Sequence, residues 1–211
     1  MRMRRKKHRE ERIEKCLDIM INEPFPKGEL NKVFGNENPI HIEIGCGKGG
    51  FITNLAEQNP DINYVAIEKN GDVLVIAMEK AQQKGLKNVR FIFGDANYLT
   101  DIVAEGECSR IYINFCDPWH KTGHAKRRLT HRNYLNTYKA LLTPSKGEVF
   151  FKTDNKPLFE FSLNECAGLG LKMRNITLDL HNSKYEGNIM TEYEKLFSEQ
   201  GMPIYRLEIL F

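Results

Sequence analysis

Residues 39–59 read PIHIEIGCGKGGFITNLAEQN, and this stretch decides the fold class. The apolar run at 39–45 predicts a buried β-strand, and the pattern at 51–59 predicts a helix. Between them lies a glycine-rich turn that also satisfies the spacing G-x-G-x-x-G. A strand, a glycine turn and a helix in this order are typical of the first unit of a Rossmann-like α/β sheet.

Downstream of this unit, apolar runs and helical patterns continue to alternate. Strands are predicted at 39–45, 62–68, 88–95, 110–115, 147–154, 171–180 and 203–211. Helices are predicted at 51–59, 72–85, 97–106, 131–142, 157–167 and 191–200. Repeated strand-then-helix units indicate a doubly wound, mostly parallel sheet of about seven strands, with helices on both faces.

Length and composition are those of a globular chain with a sizeable core. The 211 residues are 41% hydrophobic and 28% charged, and we expect one compact domain at 39–211 preceded by a basic arm at 1–38. No apolar run approaches the ~18 residues of a membrane span. The five cysteines form no C-x-x-C pair, and the basic start lacks the apolar stretch of a signal peptide. We therefore expect a cytoplasmic protein with free thiols and no membrane contact.

The net charge of +3 hides two basic blocks on an acidic body. Residues 1–15 hold eight Lys and Arg against three Glu, and residues 118–147 hold seven Lys and Arg without an acid. Either block alone is consistent with a frayed tail or a solvated loop. Both together, with aromatic residues among the cations of the second block, favour nucleic acid as the partner.

Acidic residues occur at the end of each of the first four predicted strands. They are Glu43, Glu68, Asp95 and Asp117. Taken singly, each could be a helix N-cap. Four carboxylates converging beside the turn that contains Gly45 and Gly47 would repel the pyrophosphate of NAD or FAD, whereas S-adenosylmethionine carries a sulfonium and an ammonium and no phosphate. The pattern therefore favours a class I S-adenosylmethionine-dependent methyltransferase. Glu68 is expected at the ribose hydroxyls, Asp95 at the adenine amine and Glu43 at the methionine end.

Residues 114–119 read NFCDPW and follow the fourth strand. A carboxylate, a proline and a large aromatic residue at this strand end resemble the acceptor loops of methyltransferases that act on planar nitrogens. The alternative is a buried tryptophan in a turn. Cys116, His120 and His124 are spaced so that they could hold a metal, but three ligands on a basic loop are a weak zinc signal, and no metal is expected.

Over essentially the whole chain, the sequence resembles the bacterial tRNA (guanine-N7-)-methyltransferases. The motifs that carry the resemblance are EIGCGKGGF, the four acids, NFCDPWHKTGHAKRRL, FKTDN and GNIMTEYEKLF, in this order. The resemblance implies that the four acids bind S-adenosylmethionine and that Asp117 is the catalytic residue. It implies substrate contacts from Lys121, Asp154, Thr191, Glu192, Tyr193 and Glu194. It implies RNA contacts from Gly123, His124, Ala125, Lys126, Arg127 and Arg128.

The loop also departs from the family pattern. The family sequence usually reads DPWPK followed by further basic residues, whereas here His120 replaces the proline and Thr122 and Gly123 replace cations. The basic run at 126–128 is retained.

The activity that the resemblance implies is methyl transfer from S-adenosylmethionine to N7 of a guanine in the variable loop of tRNA, by a monomer or homodimer. Guanine N7 has a lone pair and no proton, so this reaction needs positioning rather than a general base. An acceptor for guanine N1–H and its amine could be Asp154 or Glu194. Two alternatives stay open: a methyltransferase of the same fold acting on an exocyclic amine of RNA or DNA or on a protein side chain, and a non-catalytic RNA-binding module.

Overall fold

The computed structural model describes residues 8–211, so the beginning of the basic arm, residues 1–7, lies outside the described residues. The chain divides into two compact units, Met1–Val103 and Ala104–Phe211, here called the N-terminal and the C-terminal unit. The predicted boundary at residue 38, between arm and methyltransferase domain, stays a prediction.

Seven strands and eight α-helices are found within residues 8–211. The strands are β1 Ile40–Ile44, β2 Asn63–Glu68, β3 Val89–Phe93, β4 Arg110–Asn114, β5 Glu148–Thr153, β6 Lys172–Thr177 and β7 Tyr205–Leu210. The helices are α1 Arg9–Glu14, α2 Leu30–Phe34, α3 Gly50–Gln58, α4 Gly71–Gln83, α5 Leu99–Ile102, α6 Arg132–Leu141, α7 Lys156–Gly168 and α8 Glu192–Glu199. The predicted α/β class with about seven strands is confirmed.

The sheet of the N-terminal unit has the strand order β3-β2-β1, and both pairings are parallel. Every residue of β1 is buried, as are the first five residues of β2. Parallel strands covered on both faces read as nearly continuous apolar runs, which explains why the sequence identified them readily. Their carboxyl ends lie at one edge, where the acidic residues follow.

The segment before β1 packs onto the same unit. The guanidinium of Arg12 in α1 donates to both carboxylate oxygens of Glu79 in α4, at 2.6 and 2.5 Å. The Gln82 amide of α4 donates to the Lys15 carbonyl at 2.9 Å, and Met20 forms a parallel bridge to Phe91 of β3. The part of the predicted arm that the structure describes is thus held by side-chain and backbone contacts.

The C-terminal unit contributes strands in the order β4-β5-β7-β6. β4 and β5 are parallel, whereas β7 is antiparallel to both β5 and β6. The last strand therefore accounts for the sheet being mostly, rather than wholly, parallel. In β5 the buried residues include Lys152, directly before Thr153 at the carboxyl end of the strand.

One predicted element is wrong in length. In place of a helix over 97–106, a short 3-10 turn at Ala96–Tyr98 leads into α5, which ends at Ile102. The chain turns sharply after that point, because Gly106 adopts a positive φ of 70° and the Glu107 carboxylate accepts from the backbone N–H of Ala104 at 2.7 Å. These local contacts replace the helical hydrogen bonds that the pattern predicted.

Candidate functional site

The glycine-rich turn after β1 has a backbone that only glycine adopts easily. Gly45, Gly47 and Gly49 have φ angles of 79°, 56° and 75°. A Cβ at Gly49 would lie 2.5 Å from the Cβ of Ala77 in α4, so this glycine permits close packing of the turn. On the Cβ side of Gly45 and Gly47, no atom of the described residues lies within 4 Å. The turn thus has an open side at which a ligand can approach the backbone closely.

Glu68, at the end of β2, is tied directly to this turn. Its Oε2 accepts the N–H of Gly47 at 3.0 Å, and its Oε1 accepts the N–H of Asn70 at 2.8 Å. An ionised carboxylate has about four acceptor positions, so both oxygens keep capacity for further donors. The side chain is half-buried and fixed beside the glycine turn, as a group that accepts from two ribose hydroxyls needs to be.

Asp95 has one oxygen in a local cap. Its Oδ1 accepts the backbone N–H of Asn97 at 3.0 Å and the Asn97 side-chain amide at 2.7 Å. The N-cap interpretation therefore describes this oxygen, whereas Oδ2 has no hydrogen-bond partner among the residues that the structure describes. Glu43 is 2% exposed and lies within β1, two residues before Gly45.

The structure brings three of the four predicted acids to one edge of the N-terminal unit. β1, β2 and β3 are parallel neighbours, and Glu43, Glu68 and Asp95 lie at or just beyond their carboxyl ends. Asp117 belongs to the C-terminal unit, directly after β4. Convergence of all four acids on one ligand stays a prediction.

The loop after β4 has two residues with an unusual backbone. Phe115 and Trp119 have φ angles of 53° and 44°, a region that costs a side-chain-bearing residue roughly 1–2 kcal/mol. Asp117, between them, is exposed to solvent. An open cavity of about 410 Å³ is lined by Asp117, Pro118, Trp119, His120, Lys121 and His124. The tryptophan is half-buried and faces this cavity instead of lying in a core.

The three cations at 126–128 do not share one environment. Lys126 and Arg127 are exposed, and the Arg127 guanidinium lies over the Trp119 ring at 5.0 Å. Arg128 is half-buried, and its guanidinium donates to the carbonyls of Pro118 at 3.0 Å and Trp119 at 3.1 Å. Gly123, His124 and Ala125 lie in the 3-10 turn Thr122–Arg127, where the His124 ring packs edge-on against Trp119.

Cys116 precedes Asp117 and has a suppressed acidity. Burial of the sulfur, together with the nearby Asp117 carboxylate, raises the pKa of the Cys116 thiol to about 12. The thiol therefore stays protonated at neutral pH, and a protonated thiol is a poor metal ligand. Within residues 8–211, no three His, Cys, Asp or Glu side chains are grouped so that they could hold a metal ion.

Glu194, a predicted substrate residue, lies inside a buried polar network. It is fully buried, and its Oε2 accepts from the Nζ of Lys152 at 2.7 Å. Its Oε1 accepts from the Asn188 amide at 2.5 Å and lies 3.2 Å from His181 Nε2. Glu194 also closes a capping box with Thr191 at the start of α8. Both carboxylate oxygens are thus occupied by protein groups.

Of the other predicted substrate residues, Thr191 is also buried, and the remaining four are more accessible. Lys121, Glu192 and Tyr193 are exposed, with Tyr193 64% exposed, and Asp154 is half-buried immediately after β5. Lys152 was not singled out in the sequence. A lysine inside the otherwise apolar strand VFFKT was the available signal, because a buried ammonium requires a carboxylate partner.

No helix within residues 8–211 combines the length and apolar character needed to cross a membrane.

Comparison with known proteins gives concordant matches. A family model described as "Putative methyltransferase" matches residues 37–207. The tRNA (guanine-N(7)-)-methyltransferase of Streptococcus thermophilus is 48% identical over 212 residues, covering 100% of this chain and 99% of the relative. That of Brevibacillus brevis is 50% identical, covering 99% and 97%. The crystal structure of the 16S rRNA methyltransferase KamB matches with a TM-score of 0.65 and 15% identity, over 88% of this chain and 93% of that one. This last likeness concerns the fold alone, and it confirms the Rossmann-like class I methyltransferase fold.

Proposed function

The chain belongs to the family of tRNA (guanine-N(7)-)-methyltransferases, and from this membership we propose how its residues transfer a methyl group from S-adenosylmethionine to N7 of a guanine in tRNA. The observation that supports this function most strongly is sequence identity: over essentially the entire chain, about half of the residues are identical to those of relatives that bear this name.

The N-terminal unit suits a cationic methyl donor. Open space beside Gly45 and Gly47 lets a ligand lie against the backbone, and Glu68 is held at this turn by two N–H donors. We assign the ribose hydroxyls to Glu68, the adenine amine to the available Oδ2 of Asp95 and the methionine end to Glu43. Bound S-adenosylmethionine supplies an electrophilic methyl on a sulfonium, and three carboxylates at one sheet edge complement its positive charge.

Asp117 is the proposed catalytic residue, and we also assign it a contact to the cofactor. Because guanine N7 has no proton to lose, a carboxylate there has no general-base role. Methylation leaves a positive charge on the purine, and the Asp117 carboxylate stabilises that charge as it develops. The exposed position of Asp117 beside the cavity of the loop is consistent with access by a base.

Guanine is read by acceptors for N1–H and the exocyclic amine. Of the two carboxylates considered for this role, Asp154 is half-buried at the end of β5, whereas Glu194 is fully buried and occupied by Lys152 and Asn188. We therefore assign guanine recognition to Asp154. Lys121, Thr191, Glu192 and Tyr193 keep their proposed substrate contacts.

The exposed basic residues of the loop supply contacts to the tRNA backbone. Lys126 and Arg127 are exposed and suit phosphate binding. Because tRNA is the substrate, we propose that the enzyme works in the cytoplasm. The assembly as a monomer or homodimer and the absence of a metal requirement stay predictions.

Nucleoside analysis tests this proposal. Unmodified tRNA is incubated with the protein and methyl-labelled S-adenosylmethionine, digested, and separated by liquid chromatography with mass detection. The expected product is 7-methylguanosine, mapped by oligonucleotide digestion to the variable loop. Asp117→Asn serves as the control for enzyme-dependent label. Label on an exocyclic amine, or on no nucleoside, would contradict the proposal.

A further inference from the structure

We infer that Arg128 is a positioning residue, which holds the segment 117–119 in shape, and is not a contact to RNA. The inference rests on the proposed role of Asp117 and goes beyond it by assigning a specific support to the catalytic loop. It separates Arg128 from Lys126 and Arg127, with which it forms one continuous basic run in the sequence.

The first observation is how the donors of the guanidinium are used. Arg128 Nε donates to the Pro118 carbonyl at 3.0 Å, and Nη2 donates to the Trp119 carbonyl at 3.1 Å. These two carbonyls belong to consecutive residues, so the planar guanidinium of Arg128, with its fork of N–H donors, binds the segment 118–119 at two points. A lysine ammonium carries no such fork and would hold a single carbonyl at this geometry less specifically.

A second observation concerns the face of the guanidinium. Its carbon lies 4.3 Å from the centre of the Phe161 ring of α7, within the range of a cation–π contact. The group is thus held between an aromatic ring and two carbonyls. Lys126 and Arg127, by contrast, are exposed, and a phosphate could reach them without displacing a hydrogen bond to a carbonyl.

The third observation is that the backbone of the segment 117–119 is strained and has to be held by other contacts. Trp119 has a φ of 44°, which a bulky side chain rarely adopts. Such a conformation persists when the surrounding contacts determine it. The two hydrogen bonds from Arg128 to the carbonyls of residues 118 and 119 are such contacts. They act one and two residues after Asp117. Without these hydrogen bonds, the Asp117 carboxylate and the Trp119 side chain would both be free to move.

The experiment compares Arg128→Lys, which keeps the charge and loses the fork, with two controls. Lys126→Ala removes an exposed cation of the same run, and Lys172→Ala removes an exposed cation of β6 outside both basic blocks. Three quantities are measured: the single-turnover rate at saturating tRNA, the slope of log affinity for tRNA against log salt, and acrylamide quenching of Trp119, the chain's one tryptophan.

For Arg128→Lys we expect a rate loss on the order of a hundredfold, as for a displacement of about 1 Å at a reacting group. The salt slope should stay at the wild-type value, and Trp119 should be quenched more readily. Lys126→Ala should flatten the slope by about 1 unit, as for one lost phosphate contact. Lys172→Ala should leave all three quantities unchanged.

The inference would be overturned if Arg128→Lys had the wild-type rate and quenching while Arg128→Gln, which removes the charge, had a flatter salt slope of tRNA binding. Arg128 would then be assigned to the RNA contacts. If Arg128→Lys fails to fold, Phe161→Leu provides the same comparison, because it removes the supporting ring and keeps the cation. Lower rate with unchanged slope is then expected, and an unchanged rate and quenching would overturn the inference. The quenching readout needs no activity, so a wild-type enzyme that labels no tRNA would contradict the proposed function and still leave Arg128 tested.

Discussion

Replacing Lys152 by methionine should strongly destabilise the protein. The Lys152 ammonium donates to Glu194 at 2.7 Å, to Asn188 at 3.0 Å and to the Ile189 carbonyl at 2.9 Å, and the side chains of Lys152 and Glu194 are 6% and 0% exposed. Removing one partner leaves a carboxylate buried without its counter-charge, which costs about 3–5 kcal/mol. With a urea slope of about 2 kcal/mol per M, the midpoint of unfolding should fall by roughly 1.5–2.5 M.

Urea unfolding followed by far-UV circular dichroism measures this loss. Glu194→Gln keeps the shape of the side chain and the capping box. It should also be destabilising, because it leaves the Lys152 ammonium buried without its counter-charge. The double variant should lose less than the two single losses added together, by up to about 3 kcal/mol, because the two groups interact directly. Lys195→Met, at an exposed lysine of α8, is the matched control and should stay within about 0.5 kcal/mol of wild type. A loss below about 1 kcal/mol in Lys152→Met, or strict additivity, would refute the reasoning.

Further predictions concern the site itself. Glu68→Ala should weaken S-adenosylmethionine binding by one to two decades in calorimetry, as expected for the loss of charged hydrogen bonds worth roughly 1.5–3 kcal/mol, and tight binding of NAD to the wild type would contradict the charge argument. The double variant of Lys126 and Arg127 to alanine should flatten the salt slope of tRNA binding by about 2 units, and an unchanged slope would make both residues a solvated surface. Asp117→Asn should lower the single-turnover rate about a hundredfold and weaken cofactor binding less, whereas the wild-type rate should not rise steadily toward alkaline pH, since no proton leaves N7. Because burial and Asp117 raise the pKa of Cys116 to about 12, this thiol should resist alkylation at pH 8 in the native protein and react after unfolding; rapid native modification would contradict that environment.

Much of the N-terminal unit could be read from residue order. Apolar runs located the strands because parallel strands buried on both faces have few polar positions. The acids Glu43, Glu68 and Asp95 followed from chain order too, since the carboxyl ends of neighbouring parallel strands meet at one edge. The helix predicted over 97–106 failed because a turn closed by Glu107 and Gly106 competes with helical hydrogen bonds, and periodicity does not register that competition.

The interaction partners of the charged side chains, in contrast, were decided by the tertiary structure. In the sequence, the apolar neighbours of Lys152 indicate that it is buried, but they do not identify its partner. Arg128 is one of three consecutive cations, and nothing local distinguishes a cation that contacts RNA from one that contacts protein. Folding places Lys152 against Glu194, 42 positions away, and Arg128 between Phe161 and two carbonyls. Local patterns depend on how a residue interacts with neighbours along the chain. The role of a charge depends on desolvation and on groups brought from distant segments, and these exist only once the chain has folded.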